Sequence, residues 1–456
     1  MANTEELIER QRKYFKSGVT RSLEFRKNRL KELKKAIRDN EAEILQALHE
    51  DLGKAAFEGY ATEIGIVLEE ISYMLTHMNG LLKTKRVKTP ITQFPSVSKI
   101  YQEPYGSVLI IAPWNYPFQL AIAPLVGSIV CGNCTIIKPS NYSPATSSII
   151  NKIISETFDP SFVAVIEGGR NVNQTLLDNK FDLIFFTGSP EIGKVVLEKA
   201  SKHLTPVVLE LGGKSPCIVD KTADIERAGK RIAWGKCLNS GQTCVAPDYL
   251  LVHKSVKNSL IEAIKKNVIE FYGENTEENS KFPKIINQKH FERLNHLIQT
   301  GEVVFGGQSN AAENKIGLTL IDHVEWDDPV MQEELFGPIL PIIEYEDLDE
   351  IISLINDRPK PLALYLFTKS KKVEQKVINS VSYGGGCIND TIVHLATSYM
   401  GFGGVGESGM GSYHGAASIQ TFSHSKSVMK KSNLIDIPLR YPTYYNYLKL
   451  LKKIMQ

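Results

Sequence analysis

The sequence predicts an α/β protein of two lobes, each built around a mainly parallel β-sheet. Three observations carry this. The chain has 456 residues, too many for one ordinary core. Short apolar runs with strand character alternate with helical stretches in two successive series, the pattern of a parallel sheet covered on both faces. The shares of apolar residues, 42%, and charged residues, 23%, are those of a globular protein able to bury large cores.

The elements follow in order. Residues 4–80 read as helices, with Leu23, Leu30, Leu33 and Ile37 at helical spacing and a break and cap at Asp39 and Asn40. Residues 90–104 change character: Pro90, Pro95 and Pro104 stand among alternating residues such as Val97 and Ile100, which predicts extended edge structure. The first α/β series has strands at 107–112, 135–138, 162–166, 181–186 and 206–211, with helices at 146–157 and 192–203. The apolar stretch 120–131 is interrupted by Pro124 and Gly127. It is shorter than the roughly 20 residues of a membrane span and is expected as a buried core helix. The second series has strands at 217–219, 249–252, 340–345 and 363–368, with helices at 224–238 and 347–356. No 20- to 50-residue period repeats, which excludes a solenoid.

The formal net charge of +2 leaves no global field to attract nucleic acid. The first 15 residues are polar and lack the apolar stretch of a secretory signal. The six cysteines have no disulfide-scaffold density, so a reducing cytoplasm is expected. Cys131 and Cys134 form a C-x-x-C pair with no second pair and no nearby histidine, which reads as packing, with no metal site expected. Residues 426–456 carry seven Lys/Arg and one Asp, and the end Leu-Lys-Leu-Leu-Lys-Lys-Ile-Met is amphipathic if helical. It reads as a helix docked on the body, with weak attachment to a membrane surface as the sharper alternative.

Four segments carry candidate chemistry. Phe185-Phe-Thr-Gly-Ser-Pro-Glu-Ile-Gly193 runs from a strand into a helix. Ser189 is placed to cap that helix and Pro190 suits its first turn, where free N–H groups attract phosphate. Its G-x-x-x-x-G spacing differs from the ordinary dinucleotide turn, so a plain turn serves equally well. In Asn239-Ser-Gly-Gln-Thr-Cys244 a cysteine ends a loop of small residues; it is a candidate nucleophile or a buried core thiol. Glu210, at a strand end beside Gly212 and Gly213, is a candidate general base or an ordinary ion-paired carboxylate. Asn115, in Ala112-Pro-Trp-Asn-Tyr-Pro117, is held by a stiff backbone as an oxyanion donor would be, or lies in a simple turn.

Taken together, the motifs Pro-Trp-Asn-Tyr-Pro, Lys-Pro-Ser, Phe-Thr-Gly-Ser, Glu-Leu-Gly-Gly-Lys, Gly-Gln-Thr-Cys and Glu-Glu-Leu-Phe-Gly-Pro occur in the order and spacing of one family. The chain resembles the aldehyde dehydrogenase superfamily, most closely its class 3 branch, from about residue 5 to 450. The resemblance implies oxidation of an aldehyde to a carboxylic acid with NAD or NADP. Cys244 matches the nucleophile, Glu210 the general base and Asn115 the oxyanion donor. Lys138 matches the lysine on the adenine ribose. Gly188, Ser189, Gly193 and Leu211 match the cofactor turn and its surroundings; Glu334 matches the nicotinamide-ribose ligand, with Phe336 nearby. Asn141 stands where many relatives have a glutamate that repels a 2′-phosphate, so NADP is expected to be accepted as well as NAD. Tyr116, Leu120, Trp234, Phe402 and His414 fall in or near segments that line the aldehyde channel in relatives. Their apolar, aromatic character suits medium-chain aliphatic or aromatic aldehydes.

The implied fold is a Rossmann-like cofactor-binding domain (1–81 and 105–209), an α/β catalytic domain (210–415), a small oligomerisation hairpin (82–104 and 416–436) and a basic tail (437–456). A homodimer follows from the same resemblance. A cysteine hydrolase would use the same nucleophile, base and oxyanion donor, but has no use for Lys138, Gly188, Ser189, Glu334 and Phe336. An acylating dehydrogenase usually lacks the glutamate at position 210. A silent relative is disfavoured because Cys244, Glu210 and Asn115 are all present.

Overall fold

The computed structural model describes residues 4–437, 441 and 447–455. Residues 438–440, 442–446 and 456, which belong to the expected basic tail, lie outside the described residues.

The first sheet has six strands in the order Gly409–Met410, Val207–Glu210, Leu183–Thr187, Ser107–Ile111, Cys134–Lys138, Val163–Val165. All are parallel except the edge strand Gly409–Met410, whose Gly409 pairs with Glu210. The central strands are buried along their whole length, which is why they read as continuous apolar runs and not as alternation. Helix Gln119–Cys131 crosses this sheet with all its residues buried and Pro124 inside it. The N-terminal helices close over it: Leu30, Leu33 and Ile37 of helix Leu23–Asp39 are fully buried, while Leu23 in its first turn stays exposed. Ser22 caps this helix by accepting from Phe25 N–H. Asn40 marks the next break, but its amide donates back to Ala36 O and gives no side-chain cap.

The second sheet has seven strands in the order Glu302–Phe305, Thr319–Asp322, Ile339–Tyr345, Tyr249–His253, Pro216–Val219, Ala363–Phe367, Gly385–Ile388. Only Glu302–Phe305 runs antiparallel. The chain then returns to the first lobe. Gly409–Met410 joins the first sheet, and helix Gly415–Thr421 packs on Gln119–Cys131, where a Cβ at Gly127 would come 2.8 Å from Phe422. A boundary at 415 therefore does not follow the sheets. A third sheet, Lys85–Val87, Ser96–Pro104 and Ser423–Lys431, is antiparallel and joins the two segments expected to form one hairpin.

Cys131 and Cys134 are buried in the first core. Among the described residues, no helix is long and apolar enough to cross a membrane. The C-terminal helix Leu448–Met455 differs from the docked helix expected from sequence: all its residues are exposed.

Candidate active site

The cleft between the lobes has a volume of about 950 Å³. One wall is made by the C-terminal ends of strands in the first sheet: Ile111 and Ala112, Lys138, Thr187 and Gly188, and Glu210. Such ends are where open α/β sheets bind ligands. The other wall comes from loops that lead into strands of the second sheet: Gly212 to Lys214, Cys244, Glu333 to Phe336 and Lys360 to Pro361. The topology thus sets carboxyl ends of one sheet against amino ends of the other.

The cysteine loop is strained. Asn239, Ser240 and Gly241 take φ of 52°, 54° and 71° in succession, a left-handed run that costs roughly 1–3 kcal/mol for each non-glycine residue. Gly241 presses on the Glu-Glu-Leu-Phe-Gly-Pro segment, where a Cβ would lie 2.3 Å from Gly337 O. Phe336 is itself left-handed (φ 50°) and meets Trp114 edge-on at 5.3 Å. The run is fixed by the Asn239 amide, which donates to Asn115 O (2.8 Å) and Gln242 O (3.0 Å), and by Glu58, which accepts from Asn239 N–H (2.8 Å). Cys244 emerges half-buried at the cleft. Burial, with Glu334 and Glu210 beside it, pushes its thiol well above the usual range; the backbone N–H groups of Cys244 and Val245 bond to the sulfur and partly oppose this.

Glu210 is buried and neither carboxyl oxygen has a hydrogen-bond partner. Desolvation holds its carboxyl well above the ordinary value, making it a stronger base than a surface glutamate. Asn115 donates one amide hydrogen to Gln242 O at 3.0 Å. An amide nitrogen carries two, so the second is left for a ligand.

Lys138 is buried at the floor, its Nζ donating to Pro139 O at 2.8 Å, and burial lowers its pKa to about 8. Gly188 and Ser189 open helix Pro190–Ser201. A Cβ at Gly188 would lie 2.5 Å from Phe186, so only glycine keeps the backbone open here. Ser189 stands at the N-cap position but makes no capping bond; its hydroxyl bonds to Glu191. The Glu191 carboxylate also accepts from its own backbone N–H, so Ser189 itself caps none of the helix N–H groups. Gly193 packs on Leu211 (2.8 Å to an added Cβ) and lies beneath the turn. Asn141 is exposed at the rim beside Gly169. The Glu334 carboxyl lies against Gly212, 2.0 Å from where a Cβ would be. Burial and then Asp248 raise its pKa to about 8, opposed by the Gly213 N–H, Lys214 and Lys236.

Cys244, Glu210, Asn115, Lys138, Asn141, Gly188, Ser189, Leu211, Glu334 and Phe336 all line this one cleft. Of the five residues expected at the aldehyde, only Leu120 does so. Tyr116 is buried behind the cysteine loop, its OH on Thr243 Oγ1 at 2.6 Å. Trp234 is 37% exposed on helix Ile225–Cys237. Phe402 and His414 sit in an aromatic cluster with Tyr413, which stacks on His414 at 4.1 Å and neighbours both Glu210 and Cys244.

The sequence reading missed the buried support of the site. Lys54 and Glu63 are fully buried and 2.6 Å apart. Lys54 also donates to Asn115 O (3.0 Å), and Glu63 accepts from Phe118 and Gln119 N–H. Lys236 is buried with no partner for its Nζ. None lies in a recognisable motif; a charged residue inside a helical stretch reads as solvated surface.

Chain-wide likeness agrees with this geometry. The aldehyde dehydrogenase family model matches residues 1–428. The chain belongs to the aldehyde dehydrogenase family. It is an NAD(P)-dependent dehydrogenase of aldehydes. It is 51% identical over 441 residues to the 4,4'-diaponeurosporen-aldehyde dehydrogenase of Staphylococcus aureus, covering 96% of each chain. It is 45% identical over 445 residues to a dimeric NADP-preferring aldehyde dehydrogenase of Canis lupus familiaris, covering 97% of this chain and 98% of that one. A solved structure described as the substrate-bound state of Staphylococcus aureus AldH matches this aldehyde dehydrogenase with a TM-score of 0.98 at 49% identity, covering 100% of both chains.

Proposed function

We propose that this enzyme oxidises apolar aldehydes to carboxylic acids through a covalent intermediate on Cys244, with Asn115 as oxyanion donor and Glu210 as general base. The observation that carries this is the arrangement of one half-buried thiol, one unpartnered buried carboxyl and one amide with a spare hydrogen around a single cleft.

The steps follow from these groups. The Cys244 sulfur, having lost its proton, attacks the aldehyde carbon. The new oxyanion takes the spare Asn115 N–H; one such donor contributes roughly 10²–10³ in rate. Two electrons leave with the aldehyde hydrogen, and a thioester remains on Cys244. Glu210 then removes a proton from water, which attacks the thioester and releases the acid and the thiol. The unpaired, desolvated Glu210 suits this role, since no hydrogen bond must be broken to free its oxygens.

The cleft fits a nicotinamide dinucleotide. An open helix start with glycine at its mouth suits a pyrophosphate. Lys138 would hold one ribose and Glu334 the other; Gly188, Ser189, Gly193, Leu211 and Phe336 would shape the cradle. When bound, the cofactor supplies the acceptor for the hydride. Asn141 carries no charge to repel a 2′-phosphate, which supports use of NADP as well as NAD; the canine relative is named as NADP-preferring.

Medium-chain aliphatic and aromatic aldehydes are the proposed substrates, on the class 3 resemblance and on Leu120, the one of the five expected residues that lines the cleft. The 51% identical relative is named for a 4,4'-diaponeurosporen aldehyde, which extends the reading to longer apolar chains. The first lobe is the proposed cofactor-binding domain and the second the catalytic domain. The three-stranded sheet is the proposed dimer contact, and a cytoplasmic location goes with the expected free thiols. The test is reduced-nicotinamide absorbance with hexanal or benzaldehyde, for wild type and Cys244→Ser. A rise that requires both aldehyde and cofactor and disappears in the variant is expected. Wild-type turnover in Cys244→Ser would refute the covalent route.

A further inference from the structure

The C-terminal helix Leu448–Met455 (sequence Leu-Lys-Leu-Leu-Lys-Lys-Ile-Met) lies outside both lobes and takes no part in the chemistry above. At about 100° per residue, Leu450, Ile454, Leu451, Met455 and Leu448 fall together on one side. Lys452, Lys449 and Lys453 fall together on the other. The segregation is complete, and the helix holds no acidic residue.

In a helix packed on its own protein the apolar side would be covered. Here Leu448 is 56%, Leu451 49% and Met455 69% exposed. The helix passes within 8 Å (Cα–Cα) of the turn Ile91–Gln93. That turn ends the three-stranded sheet together with Lys431, whose Nζ donates to Phe94 O at 3.0 Å. Ile91, Phe94 and Leu434 are exposed at the same end. An apolar rim thus continues from the helix onto the body, and basic residues frame it.

Charge selects the occupant. Residues 426–456 hold seven Lys/Arg and one Asp, a balance of +6 within a chain whose net is +2. The rest of the protein therefore carries a net of −4, and this end holds a local excess of positive charge. We propose that the helix Leu448–Met455 and the adjoining end of the three-stranded sheet form a docking surface for an anionic lipid bilayer. The leucine and isoleucine side chains enter the interface and the three lysines meet the headgroups. An amphipathic helix of this kind lies in the plane of the interface with its apolar face sunk about 5–10 Å. The attachment is peripheral, since eight residues span only about 12 Å. A bilayer needs both features at once: an apolar face for the acyl boundary and a cationic face for the lipid charge.

The experiment is co-sedimentation of the full-length protein with vesicles of phosphatidylglycerol mixed into phosphatidylcholine, and with phosphatidylcholine alone. Expected are sedimentation with the anionic vesicles, weakening at high salt, and little with the neutral ones. Lys449→Gln/Lys452→Gln/Lys453→Gln should lower the partition coefficient about a hundredfold, from roughly fivefold per lysine. Leu451→Ser/Ile454→Ser should abolish binding while leaving aldehyde oxidation in solution unchanged, which shows that the fold is intact. Absence of sedimentation with anionic vesicles would overturn the proposal. So would binding unaffected by either variant. If the wild type ignores vesicles and Leu451→Ser/Ile454→Ser instead changes the sedimentation velocity of the oligomer, the face is covered by a second copy and the lipid reading is wrong.

Discussion

The position of Asn115 is set from behind by a buried ion pair, and this can be tested quantitatively. Lys54 Nζ lies 2.6 Å from Glu63 Oε1, 3.0 Å from Asn115 O and 4.0 Å from the centre of the Tyr116 ring. Removing Lys54 alone would strand a fully buried carboxylate at a cost of about 3–5 kcal/mol, and lost activity would then mean only lost fold. The perturbation of choice is Lys54→Met with Glu63→Gln, which removes both charges at nearly constant volume. The Asn239 amide still holds Asn115 O at 2.8 Å, so Asn115 shifts but is not released. A misplacement of about 1 Å costs on the order of 100-fold, and deletion of an oxyanion donor about 10²–10³-fold. We therefore expect kcat/KM to fall about 10- to 100-fold in the pair variant, or about 1.4–2.7 kcal/mol of transition-state stabilisation. Asn115→Ala should fall further. The decisive assay is the cycle of pair variant, Asn115→Ala and triple variant, with thermal unfolding followed in parallel. If the pair acts through Asn115, the triple variant stays within about threefold of Asn115→Ala, the mark of coupled sites. Losses that multiply in the triple variant would refute the reasoning.

Three other outcomes follow. The thiol of Cys244 is raised by burial and by Glu334 and Glu210, so its reactive form is gained as pH rises; its iodoacetamide alkylation in the free enzyme should increase about tenfold per pH unit from pH 7 to 9, and a plateau near pH 7 would contradict the assigned environment. Asn141→Glu should lower kcat/KM with NADP about tenfold and leave NAD nearly unchanged, from one added charge near a phosphate at the rim; an equal loss with both cofactors would remove Asn141 from that role. Lys236 has its pKa lowered by burial to about 8 from 10.5. The folded protein thus gains stability as pH rises from about 8 towards 10.5, and below that it carries the cost of an unpaired ammonium. Lys236→Met should be more stable at pH 7 by about 2 kcal/mol, with the difference shrinking towards pH 10, and equal melting at both pH values would count against it.

The sheets were legible because their signal is local. Strands such as Leu183–Thr187 and Ala363–Phe367 are buried end to end, and continuous apolar runs of that length have few other readings. Helix Gln119–Cys131 was legible for the same reason, despite Pro124 within it. The return of Gly409–Met410 to the first sheet was not. A two-residue strand pairing with Glu210 across about 200 residues of sequence has no period to detect, and its glycines read as loop. The aldehyde-side residues were only partly legible: Tyr116 and His414 lie in segments matched by resemblance, but resemblance does not say which wall a ring faces. The structure sets Tyr116 against Thr243, 127 residues away in sequence, and stacks His414 on its sequence neighbour Tyr413.

The catalytic motifs and their support differ in how they are encoded. Gly212 and Gly241 are needed because a Cβ would strike Glu334 and Gly337 O, so close approach leaves a glycine that a reader of sequence can see. Lys54, Glu58 and Glu63 leave no such mark. Glu58 and Glu63 sit in helical turns and Lys54 in the short link between two helices, and their burial arises only when the N-terminal helices close over the loops that carry Asn115 and Asn239. Two consecutive left-handed residues at Asn239 and Ser240 cannot persist on local preference; they require the bonds from Glu58 and the Asn239 amide. The N-terminal helices are therefore the part of the fold that holds the Cys244 loop in its strained form. Loosening them should cost activity before it costs the sheets.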